Sequence, residues 1–297
     1  MEENKKIKIL LDTDIGSDID DALCLSYLLM QPKCKLLGIT TVTGEAEKRA
    51  MMASVLCKLA GKDIPIYPGA EKPLINQQIQ KKAQQAERLK NWEYQKKFPK
   101  GEAIEFLRTT IRKNPNEIIL LSIGPLTNIA LLFKTDPDIP KLLKGLVSMA
   151  GAFKYRFPEL SLREWNAYLD PHASHIVYNT RLKSHISIGQ DVTCKIIMGE
   201  KDIKRRFTSK LQKAVLDFAY IWFKKMNKVY FHDPLTAAII FNKNICKYEK
   251  GKVDIELKSD RLFGLTYWDT KYKNSWQEVA VEVNITKFFE EYFSVFK

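Results

Sequence analysis

Residues 10–23 read Leu-Leu-Asp-Thr-Asp-Ile-Gly-Ser-Asp-Ile-Asp-Asp-Ala-Leu, and this stretch predicts how the chain folds. The run that it completes, from Ile7 to Leu11, is mostly apolar and has the length of a short buried strand. Residues 22–29 have the composition of a helix. The acidic residues fall on the turn between the two, beyond the carboxyl end of the strand. Open α/β sheets bind their ligands at that position.

Five aspartates lie on or beside this turn, at Asp12, Asp14, Asp18, Asp20 and Asp21. Their charges repel one another unless a cation or a donor-rich ligand holds them together. Carboxylate oxygens are the ligands that Ca²⁺ and Mg²⁺ prefer. Asp18, Asp20 and Asp21 would also suit the start of the following helix, but a helix needs a single N-cap. Burial of Asp12 and Asp14 without a partner would be costly, so a metal-binding or catalytic turn is the favoured interpretation.

The succession of strands and helices continues along the chain. Residues 35–42 and 64–67 have strand composition, and residues 47–60 between them have helical spacing. Residues 117–123 form a continuous apolar run, typical of a strand that is buried on both faces. The predicted fold class is therefore α/β: a single domain over residues 1–297, with a mostly parallel central sheet in a Rossmann-like open arrangement and flanking helices.

Residues 71–100 depart from this pattern. Gln77 to Lys97 is rich in Gln, Lys and Ala and has few apolar residues to anchor it. We expect a helical insertion over the sheet edge. A lid over the site and a merely solvated helix are both compatible with this composition.

The composition is that of a folded protein with a large core. Of the 297 residues, 45% are hydrophobic and 11% are aromatic, which excludes a mainly disordered chain. No apolar run reaches the length of about 18 residues that a membrane-spanning helix needs, and the N-terminal apolar stretch is too short for a signal peptide. The five cysteines are widely spaced and include no Cys-x-x-Cys pair, as expected for buried thiols. These features predict a cytoplasmic protein with no membrane partner.

The chain carries a formal net charge of +13. Nucleic-acid binding and a lysine-rich solvated surface would both produce such an excess. The lysines are spread through the whole sequence, and no nucleic-acid recognition motif accompanies them. We therefore do not expect nucleic-acid binding to be the main function.

The acidic turn resembles the signature of the nucleoside hydrolases, Asp-x-Asp-x-Gly-x-Asp-Asp-Ala. Further motifs resemble that family and follow in its order across about residues 8–240. They are Ile39-Thr40-Thr41-Val42 with Gly44, Tyr67-Pro68-Gly69, Gly124-Pro125-Leu126-Thr127-Asn128-Ile129-Ala130, Met149-Ala150-Gly151, Glu164-Trp165-Asn166 with Asp170-Pro171, and His232-Asp233-Pro234-Leu235. One such motif is weak evidence, whereas the ordered set favours membership of the family.

The resemblance implies that the chain hydrolyses the N-glycosidic bond of ribonucleosides, giving free base and ribose. It implies one Ca²⁺ held by Asp14, Asp21 and Asp233 together with the main-chain carbonyl of Ile123. Asp14 would also remove a proton from the attacking water. Small ribonucleosides are the expected partners, and a homodimer or homotetramer is the expected assembly.

The same resemblance assigns the groups that contact the substrate. Glu164 and Asn166, which we expect on one side of an extended segment, would bind ribose hydroxyls together with Asp18 or Asp20. His232 would protonate the departing base or donate a hydrogen bond to it. From the sequence alone, a histidine before a helix is more often a cap or a satisfied polar residue.

The chain departs from the family pattern at several positions. Residues 17–19 lengthen the acidic turn, which leaves open whether Asp18 or Asp20 binds the sugar. Glu45 stands where many relatives have a ribose-binding asparagine, and Pro158 stands where another asparagine is usual. Residues 71–100 contain no histidine, although many relatives place one near the base. Purine or pyrimidine preference is therefore open.

Two alternatives compete with the hydrolase interpretation. Leu10 to Asp14 also looks like the strand and Asp-x-Asp of a haloacid-dehalogenase-like, Mg²⁺-dependent phosphatase, but Gly16 occupies a position where that family has Thr or Val. A non-catalytic protein that binds ribose or nucleosides on the same fold is the other alternative. Release of base, release of phosphate, or neither would separate the three.

Overall fold

The structure, a computed structural model, describes residues 6–154 and 161–296. Its strands, numbered along the chain, are β1 (Ile7–Thr13), β2 (Cys34–Thr41), β3 (Ile66–Pro68), β4 (Ile118–Ser122), β5 (Gly145–Met149), β6 (His185–Ile188), β7 (Ile197–Gly199), β8 (Lys228–Tyr230), β9 (Cys246–Ile255), β10 (Thr266–Asp269) and β11 (Gln277–Val283). Nine of them form one sheet in the order β10-β9-β11-β6-β5-β4-β1-β2-β3, and β7 pairs with β8.

Helices cover both faces of the large sheet. They are α1 (Asp20–Met30), α2 (Ala46–Leu59), α3 (Ala103–Lys113), α4 (Thr127–Thr135), α5 (Ile139–Leu142), α6 (Trp165–Leu169), α7 (Pro171–Tyr178), α8 (Gln190–Thr193), α9 (Glu200–Arg206), α10 (Lys210–Phe223), α11 (His232–Phe241) and α12 (Ile285–Ser294). The predicted α/β domain with a mostly parallel sheet and flanking helices is confirmed.

The central strand β1 shows why the sheet needs two helical layers. Successive side chains of a strand point to opposite faces. Accordingly, Ile9 and Leu11 pack in one core with α1, α2, α10 and α11, whereas Leu10 packs in the other core with α3, α4 and α7. All three side chains are fully buried, so the stretch of β1 from Ile9 to Leu11 is apolar on both faces directly before Asp12.

The strand order reverses next to β1. Strands β2 and β3 lie on one side of it and β4, β5 and β6 on the other, and every pair in this part of the sheet is parallel. The connections after β1 and β4 therefore diverge from a common point and leave a crevice beyond the carboxyl ends of the strands. The acidic turn, residues 12–21, follows β1 directly into this crevice.

The predicted helical insertion over residues 71–100 is wrong for most of its length. The segment contains one 3₁₀ helix, Gln84–Asn91, and is otherwise irregular. Few apolar side chains anchor it, and its glutamine amides hydrogen-bond to other segments; the Gln78 amide donates to Thr43 Oγ1 (2.8 Å) and the Gln85 amide to the Ser17 carbonyl (3.2 Å). A long α-helix would direct most of these groups into solvent.

Two further expectations concern composition. The five cysteines are buried and form no disulfide. Over residues 6–154 and 161–296, none of the helices has both the length and the apolar character needed to cross a bilayer. Pro158, one of the departures from the family pattern, lies outside the described residues.

Candidate active site

A cavity of about 700 Å³ opens at the crevice beside β1 and β4. Every site residue predicted from the sequence lines it: Asp14, Asp18, Asp20, Asp21, Ile123, Glu164, Asn166, His232 and Asp233. These residues come from separate parts of the chain and meet because each follows the carboxyl end of a strand or begins a helix that packs there. The structure thus brings the predicted site residues, which are far apart in the sequence, together in one cavity.

Three carboxylates form the tightest part of the site. Among the described residues, one group of potential metal-ligating side chains has its ligand atoms within 4.8 Å of one another, and it consists of Asp20, Asp21 and Asp233. The first two begin α1 and the third lies in the first turn of α11. The backbone N–H of Asp233 donates to Asp20 Oδ2 (3.3 Å), so the two helix starts are joined directly. Asp20, expected at the sugar, therefore lies within the acidic cluster.

Burial and mutual repulsion make this cluster unfavourable without a counter-charge. Each of the three carboxyl groups is at most 4% exposed. Burial, followed by repulsion from the other carboxylates, raises the pKa of Asp20, Asp21 and Asp233 well above the ordinary value. A cation with oxygen ligands would favour the ionised form of all three.

Asp14 lies in the same cavity but outside this trio. Burial raises the pKa of Asp14, and the Arg49 guanidinium acts in the opposite direction. Its Oδ2 accepts a hydrogen bond from the side-chain amide of Gln80. A carboxylate can accept further hydrogen bonds at both of its oxygens, so the contact with Gln80 is compatible with the predicted roles of Asp14 as metal ligand and base.

Glu164 and Asn166 lie at the start of a helix and not on an extended segment, which corrects the predicted local structure. Glu164 is the N-cap of α6; its carboxylate accepts from the backbone N–H groups of Asn166 (2.8 Å) and Ala167 (2.9 Å). The Asn166 amide donates to the carbonyls of Ile123 (3.0 Å) and Met149 (3.1 Å). Asn166 therefore holds the ends of β4 and β5 together and faces the cavity in doing so.

His232 is half-buried at the beginning of α11 and borders the cavity. Its Nδ1 lies 2.6 Å from Thr193 Oγ1, and its ring stacks on Tyr230 with 5.3 Å between centroids. Burial lowers the pKa of His232 to about 4, so the imidazole is neutral near pH 7. The hydroxyl of Thr193 fixes the ring and leaves Nε2 for a ligand.

Asp12, the first acid of the turn, lies behind the site. Its Oδ1 accepts from Thr40 Oγ1 (2.5 Å) and from the Asn128 amide (2.7 Å), while Oδ2 is buried without a hydrogen-bond partner. Burial raises its pKa to about 7. Asp12 is fully buried and is absent from the cavity lining. A phosphatase of the haloacid-dehalogenase type would need this first aspartate exposed as its nucleophile, so that alternative is not favoured.

The sequence analysis missed several residues of the cavity wall. Gln80 accepts a hydrogen bond from Trp165 Nε1 while its amide contacts Asp14, and it thereby bridges two sides of the cavity. Trp222, which lies on α10, also lines the wall. For Trp165 the sequence did offer a signal, because this residue lies between Glu164 and Asn166, the two residues predicted to bind the sugar. Nothing in the Gln-rich composition distinguished Gln80 from its neighbours.

Comparison with known proteins agrees with this geometry. The sequence pattern described as "Inosine-uridine preferring nucleoside hydrolase" matches residues 9–290. The chain belongs to this nucleoside hydrolase family. The predictions of the family and of a hydrolytic enzyme are thereby confirmed.

Individual nucleoside hydrolases match along almost the whole chain. The inosine-uridine preferring nucleoside hydrolase of Leishmania major is 29% identical over 301 residues, which cover 95% of each chain. Uridine nucleosidase 1 of Arabidopsis thaliana is 29% identical over 269 residues, covering 85% of this chain and 79% of the relative. A solved plant nucleoside hydrolase superposes with a TM-score of 0.84 at 23% identity, covering 97% of this chain and 98% of the other, which establishes the shared fold.

One departure from the nucleoside hydrolase pattern has a structural explanation. Glu45, at the position of a ribose-binding asparagine, is not part of the cavity wall. Its carboxylate accepts from Lys48 Nζ (2.6 Å) and from the backbone N–H of Ala83 (2.9 Å). Glu45 therefore binds the backbone of the 71–100 segment and does not line the cavity.

Proposed function

We propose that this nucleoside hydrolase cleaves the N-glycosidic bond of ribonucleosides with water in a Ca²⁺-dependent reaction. The observation that carries the proposal is the convergence of three buried carboxylates with Glu164, Asn166 and His232 in one cavity. A metal-binding acidic centre, groups suited to sugar hydroxyls and an imidazole are thus within reach of one small molecule. The family of the chain supports the same chemistry.

The donor set fits calcium. Asp20, Asp21 and Asp233 offer carboxylate oxygens only, and Asp14 and the Ile123 carbonyl border the same space. Ca²⁺ takes 6–8 oxygen ligands in a flexible arrangement, whereas zinc sites mostly use nitrogen or sulfur. When bound, the ion supplies positive charge that makes water more acidic and favours binding of a diol.

Asp14 is the proposed general base. Three acids line the cavity outside the trio, namely Asp14, Asp18 and Glu164. The family resemblance gives the role of base to Asp14, whose Oδ2 already accepts a hydrogen bond from a neutral donor, the Gln80 amide. A water molecule that donates a second hydrogen bond to this carboxylate would transfer its proton to it. The remaining carboxylates surround the ribose ring and stabilise the positive charge that gathers there as the bond to the base breaks.

The sugar and the base occupy opposite parts of the cavity in this proposal. Asp18 or Asp20, Glu164 and Asn166 accept or donate hydrogen bonds at the ribose hydroxyls. The base lies against the apolar wall of the cavity, where Trp165, Ile221 and Trp222 offer ring and aliphatic surface. Neutral His232, oriented by Thr193, directs Nε2 to the departing base and assists its release.

The decisive experiment is a nucleoside panel assayed with and without a chelator. We expect inosine or uridine to be split into base and ribose, activity to be lost in chelator, and Ca²⁺ to restore it. Binding of nucleosides without turnover would favour a non-catalytic protein instead. Restoration by Mg²⁺ alone would contradict the proposed ion. The cytoplasmic location and the homodimer or homotetramer stay predictions.

A further inference from the structure

Arg49, on α2, is an arginine with no solvent-exposed surface. Arginine is almost never fully buried unless its charge and donors are matched, because burial of an unpaired charge costs several kcal/mol. The proposed reaction gives this residue no role. Its position behind the acidic turn therefore calls for an explanation.

The guanidinium is hydrogen-bonded on all sides. Nε donates to the Gly44 carbonyl (2.9 Å). Nη1 donates to the carbonyls of Asp14 and Ile15 (3.2 Å for the latter) and to Ser17 Oγ (3.0 Å). These acceptors lie on the acidic turn or just after β2. Arg49 therefore fixes the backbone from which the Asp14 carboxylate projects.

The remaining nitrogen reaches a different part of the chain. Nη2 donates to the carbonyl of Lys82 (3.2 Å), in the stretch 78–85 that passes over the turn and that we name the crossing segment. The backbone N–H of Gln85 donates to the Gly16 carbonyl (3.0 Å), and that of Ala83 donates to Glu45 Oε2 (2.9 Å). The crossing segment also carries Gln80, which hydrogen-bonds to the Asp14 carboxylate.

We propose that Arg49, assisted by Glu45, is a positioning residue that joins the acidic turn to the crossing segment, so that Asp14 and Gln80 are set in place together. Only a guanidinium has the fixed fork of donors that can bind the turn on one side and the segment on the other. A lysine at this position would keep the positive charge, but its ammonium group could hydrogen-bond to only one of the two segments. The catalytic part of this proposal rests on the proposed function, whereas the structural coupling does not.

Close approach of the two segments at Gly16 supports a rigid joint. Gly16 has a φ of +118°, and a Cβ at that position would lie 2.9 Å from Met52 Sδ and 3.1 Å from Ala83 Cβ. The turn and the crossing segment are thus in contact with no room for a side chain between them. Because the two segments are in direct contact, displacement of one of them would leave an empty space beside the other.

The test compares Arg49→Lys and Arg49→Met with Lys58→Met, a matched control that removes an exposed charge from the same helix. Amide hydrogen exchange is measured on the metal-free proteins without substrate. We expect peptides over residues 80–86 to exchange at least tenfold faster in Arg49→Lys, while those over β1 keep their protection. With Ca²⁺ and nucleoside, kcat should fall about tenfold. The control should match the parent chain in both measurements.

Unchanged exchange over residues 80–86 in a folded Arg49→Lys protein would overturn the proposal. So would faster exchange that extends equally to β1, because that indicates a purely structural role. If the Arg49 variants fail to fold, Glu45→Gln tests the same coupling at a half-exposed residue. We expect about threefold faster exchange over residues 82–84 in this variant. Unchanged exchange there would refute the coupling. Absence of nucleoside hydrolysis in the parent chain would refute the proposed function. The hydrogen-exchange result would still test the structural coupling.

Discussion

Substitution of Asp21 by asparagine should stabilise the metal-free protein and weaken its binding of Ca²⁺. The amide oxygen of the new side chain would still accept the hydrogen bond that Thr13 Oγ1 donates to Asp21 Oδ1 (2.5 Å). The two side chains have nearly the same volume, so packing is preserved. The change therefore removes one negative charge from the acidic cluster and little else.

The magnitude follows from the spacing of the carboxylates. The ligand atoms of the three carboxylates lie within 4.8 Å of one another, and two unit charges at that limiting distance repel by about 3 kcal/mol at an effective dielectric constant of about 20. Protonation relieves part of this repulsion, because burial and neighbouring charges raise the pKa of all three acids. We expect a net gain of about 1–2 kcal/mol in the free energy of unfolding. For a chain of this size that raises the unfolding midpoint by roughly 2–8 °C.

The assay is thermal unfolding in chelator and in increasing Ca²⁺, with Asp63→Asn as a control that removes one exposed carboxylate. For the parent chain, Ca²⁺ at about 100 times its dissociation constant adds about 2.7 kcal/mol, and in Asp21→Asn most of this increment should be lost. A lower midpoint in chelator combined with an undiminished response to Ca²⁺ would refute the reasoning. The cluster would then not be a metal site.

Three further outcomes test the site and its surroundings. Asp14→Asn should lower kcat by about 10²–10⁴-fold while the protein stays folded; a near-normal rate would remove the proposed base. His232→Ala should slow inosine severely but spare a nitrophenyl riboside, whose leaving group needs no assistance, whereas equal losses on both would argue against a role at the base. Burial lowers the pKa of His185 from 6.5 to about 3, so the unfolded chain binds a proton first as the pH falls. The contribution of His185 to stability should therefore drop by about 1.4 kcal/mol per pH unit between about pH 6 and pH 3. Urea titrations at pH 7 and pH 5 isolate this contribution, because the difference in unfolding free energy between the parent chain and His185→Gln should shift in favour of the variant at pH 5.

The sequence predicted the elements whose residues carry a strong local signal. Apolar runs such as 117–123 identified the central strands within one or two residues. An Asp-Pro pair such as Asp170-Pro171 is typical of a helix start, and Asp170 is indeed the N-cap of α7, where its carboxylate accepts from the backbone N–H of Ala173 (3.0 Å). Because parallel strands end at one edge of a sheet, correct strands were enough to bring the motif residues into one cavity.

The sequence could not predict features that depend on contacts between distant segments. The 71–100 segment has a helical composition, but its conformation is set by hydrogen bonds to the acidic turn and to α10, where Asp217 accepts from Arg88 Nε (3.0 Å) and Trp92 Nε1 (2.9 Å). The role of Gln80 depends on the same packing. Arg49 gave no signal because an arginine in a helix is normally exposed. Glu164 and Asn166 line the cavity as predicted, but the extended segment that was predicted for them is the start of a helix.

The acidic cluster joins Asp20 and Asp21, near one end of the chain, to Asp233, whose helix is followed by the three strands at the far edge of the sheet and by α12. During synthesis the first two acids leave the ribosome long before the third exists, and β1 can be flanked by β4 only after the intervening segments are made. In a nascent chain the three carboxylates therefore cannot come together until most of the sheet has assembled. Under the proposed function, binding of the ion is therefore a late event of folding, and a chain terminated before Asp233 would lack one of the three carboxylates.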